Sequence, residues 1–175
     1  MTALTKKELL ENLGDNNALV RQHARLILVH QGEENVPALL NCLKSNNDYT
    51  RIEATRALGN FRTEEVGVAL SQVLLDEDFG VRWAAMESLL KFGRNALPPV
   101  LELFAKRFDS IWMREGVHHI LRVMRDRHSL NTAELKLFWV LDKQSRSNFN
   151  TGWTGEEAWA AEKALELLDR EKAKA

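Results

Sequence analysis

Cysteine, proline and tyrosine are scarce in this chain of 175 residues, which has one Cys, three Pro and one Tyr. A single thiol, Cys42, cannot close an internal disulfide, and a metal site built on it would need histidine or carboxylate help. It reads as a reduced thiol in a cytoplasmic protein. Long apolar runs are missing too. The longest is Leu137 to Leu141, against the roughly 20 residues that a bilayer demands, so no membrane span is expected. Behind Lys6 and Lys7 there is no apolar stretch of the kind a signal peptide carries. Neither sign of charge dominates: 24 Lys and Arg face 25 Asp and Glu, for a net charge of −1. No global field draws the chain to nucleic acid or an anionic membrane. Gly-rich phosphate loops, Gly-x-Ser-x-Gly and His-Glu-x-x-His are all absent.

What is present is a repeat. Residues 16–21 (Asn-Asn-Ala-Leu-Val-Arg), 46–51 (Asn-Asn-Asp-Tyr-Thr-Arg) and 77–82 (Glu-Asp-Phe-Gly-Val-Arg) align, with a looser copy ending at Arg114. The arginines Arg21, Arg51, Arg82 and Arg114 set the frame, and leucine follows seven residues later each time: Leu28, Leu58, Leu89 and Leu121. Ala24, Ala54, Ala85 and Val117 fall at +3, and Val20, Thr50, Val81 and Met113 at −1. These offsets make one stripe of an α-helix. A second stripe follows at Leu40, Leu70 and Leu101, then Leu43, Val73 and Phe104. Gly32 and Gly93 lie between the stripes as helix ends, and Pro37 and Pro98 lie in the next first turn. Each unit is therefore a helix, a turn and a second helix.

The ends differ. Thr5 with Glu8 forms a capping box opening an N-terminal half-unit, whose Leu10 and Leu13 lie 30 before Leu40 and Leu43. The segment Ala133–Leu141 is apolar on all sides and so is expected to be buried all round. Its cover is a last helix with Thr154 and Glu157 as capping box and Trp159, Leu165 and Leu168 as buried face. The expectation is a single domain over 1–175: N-cap helix 1–15, repeats 16–45, 46–76, 77–107 and 108–142, loop 143–153, and C-cap helix 154–170. Four of the five tryptophans, Trp112, Trp139, Trp153 and Trp159, lie in the C-terminal half beyond Trp83. Their simplest role is packing the fourth unit against the last helix.

The pattern Asp-x-x-(x)-Val-Arg-x-x-Ala-x-x-x-Leu resembles the short HEAT-like repeats of phycobilin lyase subunits, over roughly residues 5–125. The resemblance implies an all-α fold, a right-handed α-solenoid of about four helical hairpins between N- and C-terminal capping helices. It also implies a polar ladder tying successive units, here Arg21, Asp48, Arg51, Asp78, Arg82 and Arg114. Asn17 stands in for the acid of the first unit, and Asp109 lies one place early in the fourth. The ankyrin Thr-Pro-Leu-His and tetratricopeptide Trp-x-x-Leu-Gly signatures are missing.

The resemblance is specific for architecture and mute on activity. HEAT-like hydroxylases that hold iron through His-Glu dipeptides are not matched, for the chain has none. Adjacent His118 and His119 point about 100° apart on a helix and with Glu115 give too few converging ligands for a metal. Residues 106–128 carry a basic surplus that includes Lys106, Arg107, Arg122, Arg125 and Arg127, yet the acidic whole argues against nucleic-acid binding. Two function classes remain. One is a non-catalytic protein-interaction scaffold or assembly factor; the other is a bilin-handling lyase or chaperone-like subunit that works with a partner chain. No cofactor and no catalytic residue is assigned. In HEAT-like stacks the second helices line the concave side. Frame offsets +17, +20 and +21 then give a solvent-facing strip: Glu8, Glu11 and Asn12; Ala38, Asn41 and Cys42; Val68, Ser71 and Gln72; Pro99, Glu102 and Leu103. Its acidic ends favour a partner with a basic segment, and Trp153 beside the loop is a second candidate anchor.

Overall fold

The computed structural model describes residues 4–145 and 155–173. Among these residues it is all-helical, with ten α-helices in the order expected from the frame. The N-terminal helix is α1 (Lys6–Asn12). There follow α2 (Ala18–Gln31), α3 (Val36–Cys42), α4 (Asp48–Leu58), α5 (Glu64–Val73), α6 (Phe79–Phe92), α7 (Leu97–Arg107), α8 (Ile111–Asp126) and α9 (Thr132–Ser145). The last helix is α10 (Glu156–Lys172). Residues group into two compact units, divided after Lys91.

In the first unit, Thr5 opens α1 with both halves of its capping box formed. Asn17 and Asn47 cap α2 and α4 by accepting from the Leu19 and Tyr49 N–H groups, each at 2.9 Å. The Asn-Asn of the repeat is thus a helix-start signal, satisfying donors the first turn leaves free. Asp78 does the same for α6, accepting from the Val81 N–H. At the other end of α2, Gly32 takes φ 104°, a backbone state costly for any residue with a Cβ. The stripe read from the frame is the core: Ala24, Leu28, Ala54, Leu58, Val81, Ala85 and Leu89 are all buried. Gly59 lets α4 meet α6, because a Cβ there would lie 2.7 Å from the Ser88 side chain. The Ser88 hydroxyl donates to the Thr55 carbonyl across the same contact.

The second stripe needs a correction in α1 and α3. These helices bury Leu9 and Leu39 fully, whereas Leu10, Leu40 and Leu43 are only half-buried. A 3-10 turn at Glu33–Asn35 precedes α3, and one at Gly93–Ala96 precedes α7, but α5 starts without one. The buried leucine is Leu39, 18 after Arg21, in α3, but Leu70 and Leu101, each 19 after its arginine, in α5 and α7, so the shift does not follow the 3-10 turns. A single offset from the arginine therefore cannot index all the second helices. In α5 and α7 the stripe holds, with Leu70, Val73, Leu101 and Phe104 buried.

In the second unit, α7 packs on α8, α8 on α9, and α10 on both α7 and α9. The fourth copy of the stripe, Met113, Val117, Ile120 and Leu121, is fully buried. A capping box that the sequence reading missed opens α9. Asn131 accepts from the Ala133 and Glu134 N–H groups, and the buried Glu134 accepts from the Asn131 N–H. Arg94 clasps the same carboxylate with two bonds of 2.8 and 2.9 Å and donates to the Ser129 carbonyl.

Two expectations about the C-terminal end are overturned. Residues Ala133–Leu141 are not buried all round. Ala133, Leu137, Phe138 and Leu141 face inward, while Trp139 is 56% exposed. Trp159 is not part of the buried face of α10 either, being 55% exposed. That face is Glu157, Ala160, Ala161, Ala164 and Leu168, an i, i+3, i+4, i+7 series whose alanines let α10 approach α7 and α9 closely. Leu165 is half-buried. Gln144 donates to the buried Glu157 and ties α9 to α10. Lys143, Gln144 and Ser145 belong to α9 rather than to a loop. Thr154 of the expected capping box, Trp153 and the rest of 146–154 lie outside the described residues.

Candidate functional site

The frame arginines are placed by one recurring geometry. Arg21 donates to the carbonyls of Asp15 and Asn16, Arg51 to that of Ser45, and Arg82 to those of Asp76 and Glu77. Each guanidinium thus reaches back six residues in sequence and fastens the turn that enters its helix. Arg51 does more. It holds the Asp76 carboxylate with two bonds of 2.9 and 3.0 Å and contacts Asp48 at 2.6 Å. The carboxylate that Arg51 holds across to the turn entering α6 is therefore Asp76, two residues before Asp78, whose own carboxylate is used at the α6 start. Arg21 links the first and second copies differently, lying over the Tyr49 ring at 4.0 Å. Arg114 is buried, and burial pushes its guanidinium down from its ordinary pKa while the charges of Glu157 and Asp109 pull it up. A further tie escaped the sequence reading: buried Glu53 accepts from Arg25 of α2 at 2.6 Å and from Arg56 at 2.8 Å.

The turns that these arginines fasten follow α1, α3 and α5, and two shallow grooves open beside those helices. The first, of about 660 Å³, runs between α1 and α3 and is lined by Lys6, Leu10, Glu11, Asn41 and Cys42 among others. The second, of about 680 Å³, runs between α3 and α5 and is lined by Leu40, Asn41, Lys44, Glu65 and Gln72 among others. Of the strip expected from the frame, Glu11, Asn41 and Cys42 come together in the first groove, and Asn41 and Gln72 in the second. Asn41 is common to both. The half-buried leucines of α1 and α3 form the apolar floors.

Other strip residues are placed elsewhere. Ser71 does not face solvent: it is 1% exposed and its hydroxyl donates to the Val68 carbonyl. The outward face of α5 is Val68 and Gln72, one frame position later than Pro37 and Asn41 of α3. Leu103 is likewise buried in α7. Glu102 is exposed on α7, in the second unit, and Asn12 is half-buried at the end of α1. Glu8 is committed to its capping box. The sequence reading missed Lys6, Lys7, Lys44 and Glu65 as groove residues. Lys44 lies in the turn beyond α3, where the helical offsets of the frame no longer apply.

Burial raises the Cys42 thiol above its usual pKa, which disfavours the nucleophilic thiolate. Among the described residues, no three His, Cys, Asp or Glu side chains converge as a metal site. His118 is packed rather than presented: its ring stacks on Phe138 at 5.5 Å and its Nε2 lies 3.3 Å from Asp142. Among the described residues, no helix is long and apolar enough to cross a membrane.

No curated protein matches the chain. The family model for HEAT repeats matches residues 5–89 and again residues 36–115, overlapping spans that follow the frame from the capping box into α8. The chain belongs to the HEAT-repeat family.

Proposed function

We propose that this protein is a non-catalytic interaction scaffold whose partner protein seats on the face of α1, α3 and α5. The observation that carries this reading is the pair of adjoining grooves that share Asn41. Each is of ligand-binding size, floored by half-buried leucines and edged by amides and charges. Side chains that exclude water beneath a polar rim are the usual anatomy of a protein-binding patch. The charge at the rim is mixed, Lys6, Lys7 and Lys44 beside Glu11 and Glu65, with Asp76 already held by Arg51. The partner therefore needs both signs, and a basic segment would meet Glu11 and Glu65 in particular. The family supports the reading because HEAT repeats commonly serve protein interaction.

The test is capture of partners from the native host by the wild-type chain and by an Asn41→Trp, Gln72→Trp double variant. Both positions are exposed, so the indoles fill the grooves without disturbing the core. The partner should be lost while the melting temperature stays unchanged. A partner retained at wild-type level by the folded double variant would remove this face from the account.

A further inference from the structure

We propose that the cleft between α9 and α10 is a separate docking site that takes one large apolar side chain from an acidic segment of a partner protein. The cleft holds about 250 Å³, below the ~300–1,000 Å³ of cofactor-sized sites. It suits a single side chain. Its floor is the buried Ala133 and Ala160 with half-buried Leu167, and Trp159 forms one wall. Trp159 lies off the buried face of α10 and is 55% exposed, so packing among the described residues does not account for it. A rigid indole beside a small apolar slot is a strong anchor for an incoming side chain.

The rim supplies the charge argument. Lys136, Lys163 and Arg170 surround the slot, and Glu166 is the one carboxylate in its described lining. Lys163 already holds Glu166 with contacts of 2.7 and 2.8 Å, and this hydrogen bond, more than the Lys163 and Arg170 charges, lowers the Glu166 pKa. The rim is left with a surplus of positive charge over an apolar floor. The complementary ligand has the opposite layout, an apolar side chain flanked by carboxylates. A basic segment would be repelled, and a neutral one would leave the cations unmatched.

The probe is a fluorescein-labelled peptide with one Phe flanked by Glu on both sides, titrated against the full chain by anisotropy. Two comparison peptides replace Phe by Ala or every Glu by Lys. The acidic Phe peptide should bind about tenfold or more tighter than either, a gap of roughly 1.4 kcal/mol or more. Trp159→Ala, and separately the pair Lys136→Glu and Arg170→Glu, should weaken it by a similar factor with unchanged melting curves. The pair Lys6→Glu and Lys44→Glu, equal in charge change but on the α1–α3–α5 face, should leave it unaltered. Absence of binding, equal binding of the Lys peptide, or insensitivity to Trp159→Ala would each overturn the proposal. So would self-association in sedimentation that disappears with Trp159→Ala, which would make a second copy the occupant, or octanoate competing as well as the peptide, which would make the slot a small-anion site.

Discussion

Arg51 is 7% exposed and bound to Asp76, Asp48 and the Ser45 carbonyl. Removing one partner of a buried ion pair leaves the other charge desolvated, so Arg51→Ala should cost about 2–4 kcal/mol. Urea denaturation of the variant against the wild-type chain measures this cost. At His118, desolvation lowers the imidazole pKa below its ordinary 6.5, outweighing the opposite pull of Asp142, with Arg122 and His119 adding to the lowering. The unfolded chain then takes up the proton more readily than the folded one. The contribution of neutral His118 is present above pH 6.5 and is lost as pH falls through that value toward the lower folded one. Stability should therefore rise with pH across this window, and His118→Gln should flatten the rise.

At the scale of helices, close approach governs the contact of α4 with α6. Gly59→Ala places a methyl 2.7 Å from Ser88, whose Cβ and hydroxyl cannot both retreat while Ser88 bonds Thr55. The expected cost is about 1–3 kcal/mol, and Ser88→Gly in the same chain should restore part of it. The start of α9 rests on Asn131, and Asn131→Ala should cost about 1 kcal/mol, read by chemical denaturation. The stripes of the first helices were legible because each arginine, small residue and leucine recurs at fixed helical offsets. Phase was not legible in the second helices. The buried leucine is Leu39, 18 after Arg21, in α3 but Leu70 and Leu101, 19 after theirs, in α5 and α7, a one-residue shift that one fixed offset cannot carry. Asn131 and Glu134 carry a capping-box spacing that could have been read; Glu53 with Arg25 and Arg56 carries no local signature, because its partners lie on two helices. Trp159 was misplaced because size argued for burial, while the alanines of α10 do the packing.

For the molecule as a whole, the family is carried by residues 5–115, and the open face of α1, α3 and α5 is where the account places the partner. The grooves there were half-visible in advance: Glu11, Asn41, Cys42 and Gln72 were legible from the frame, whereas the lysines at the rim were not. The most direct measurement is site-specific photo-crosslinking in the native host, with benzoylphenylalanine replacing Asn41 in one version of the chain and exposed Leu26 of α2 in another. The account predicts a discrete protein adduct from position 41 and none from position 26. An adduct from position 26 alone, or from neither, would contradict it.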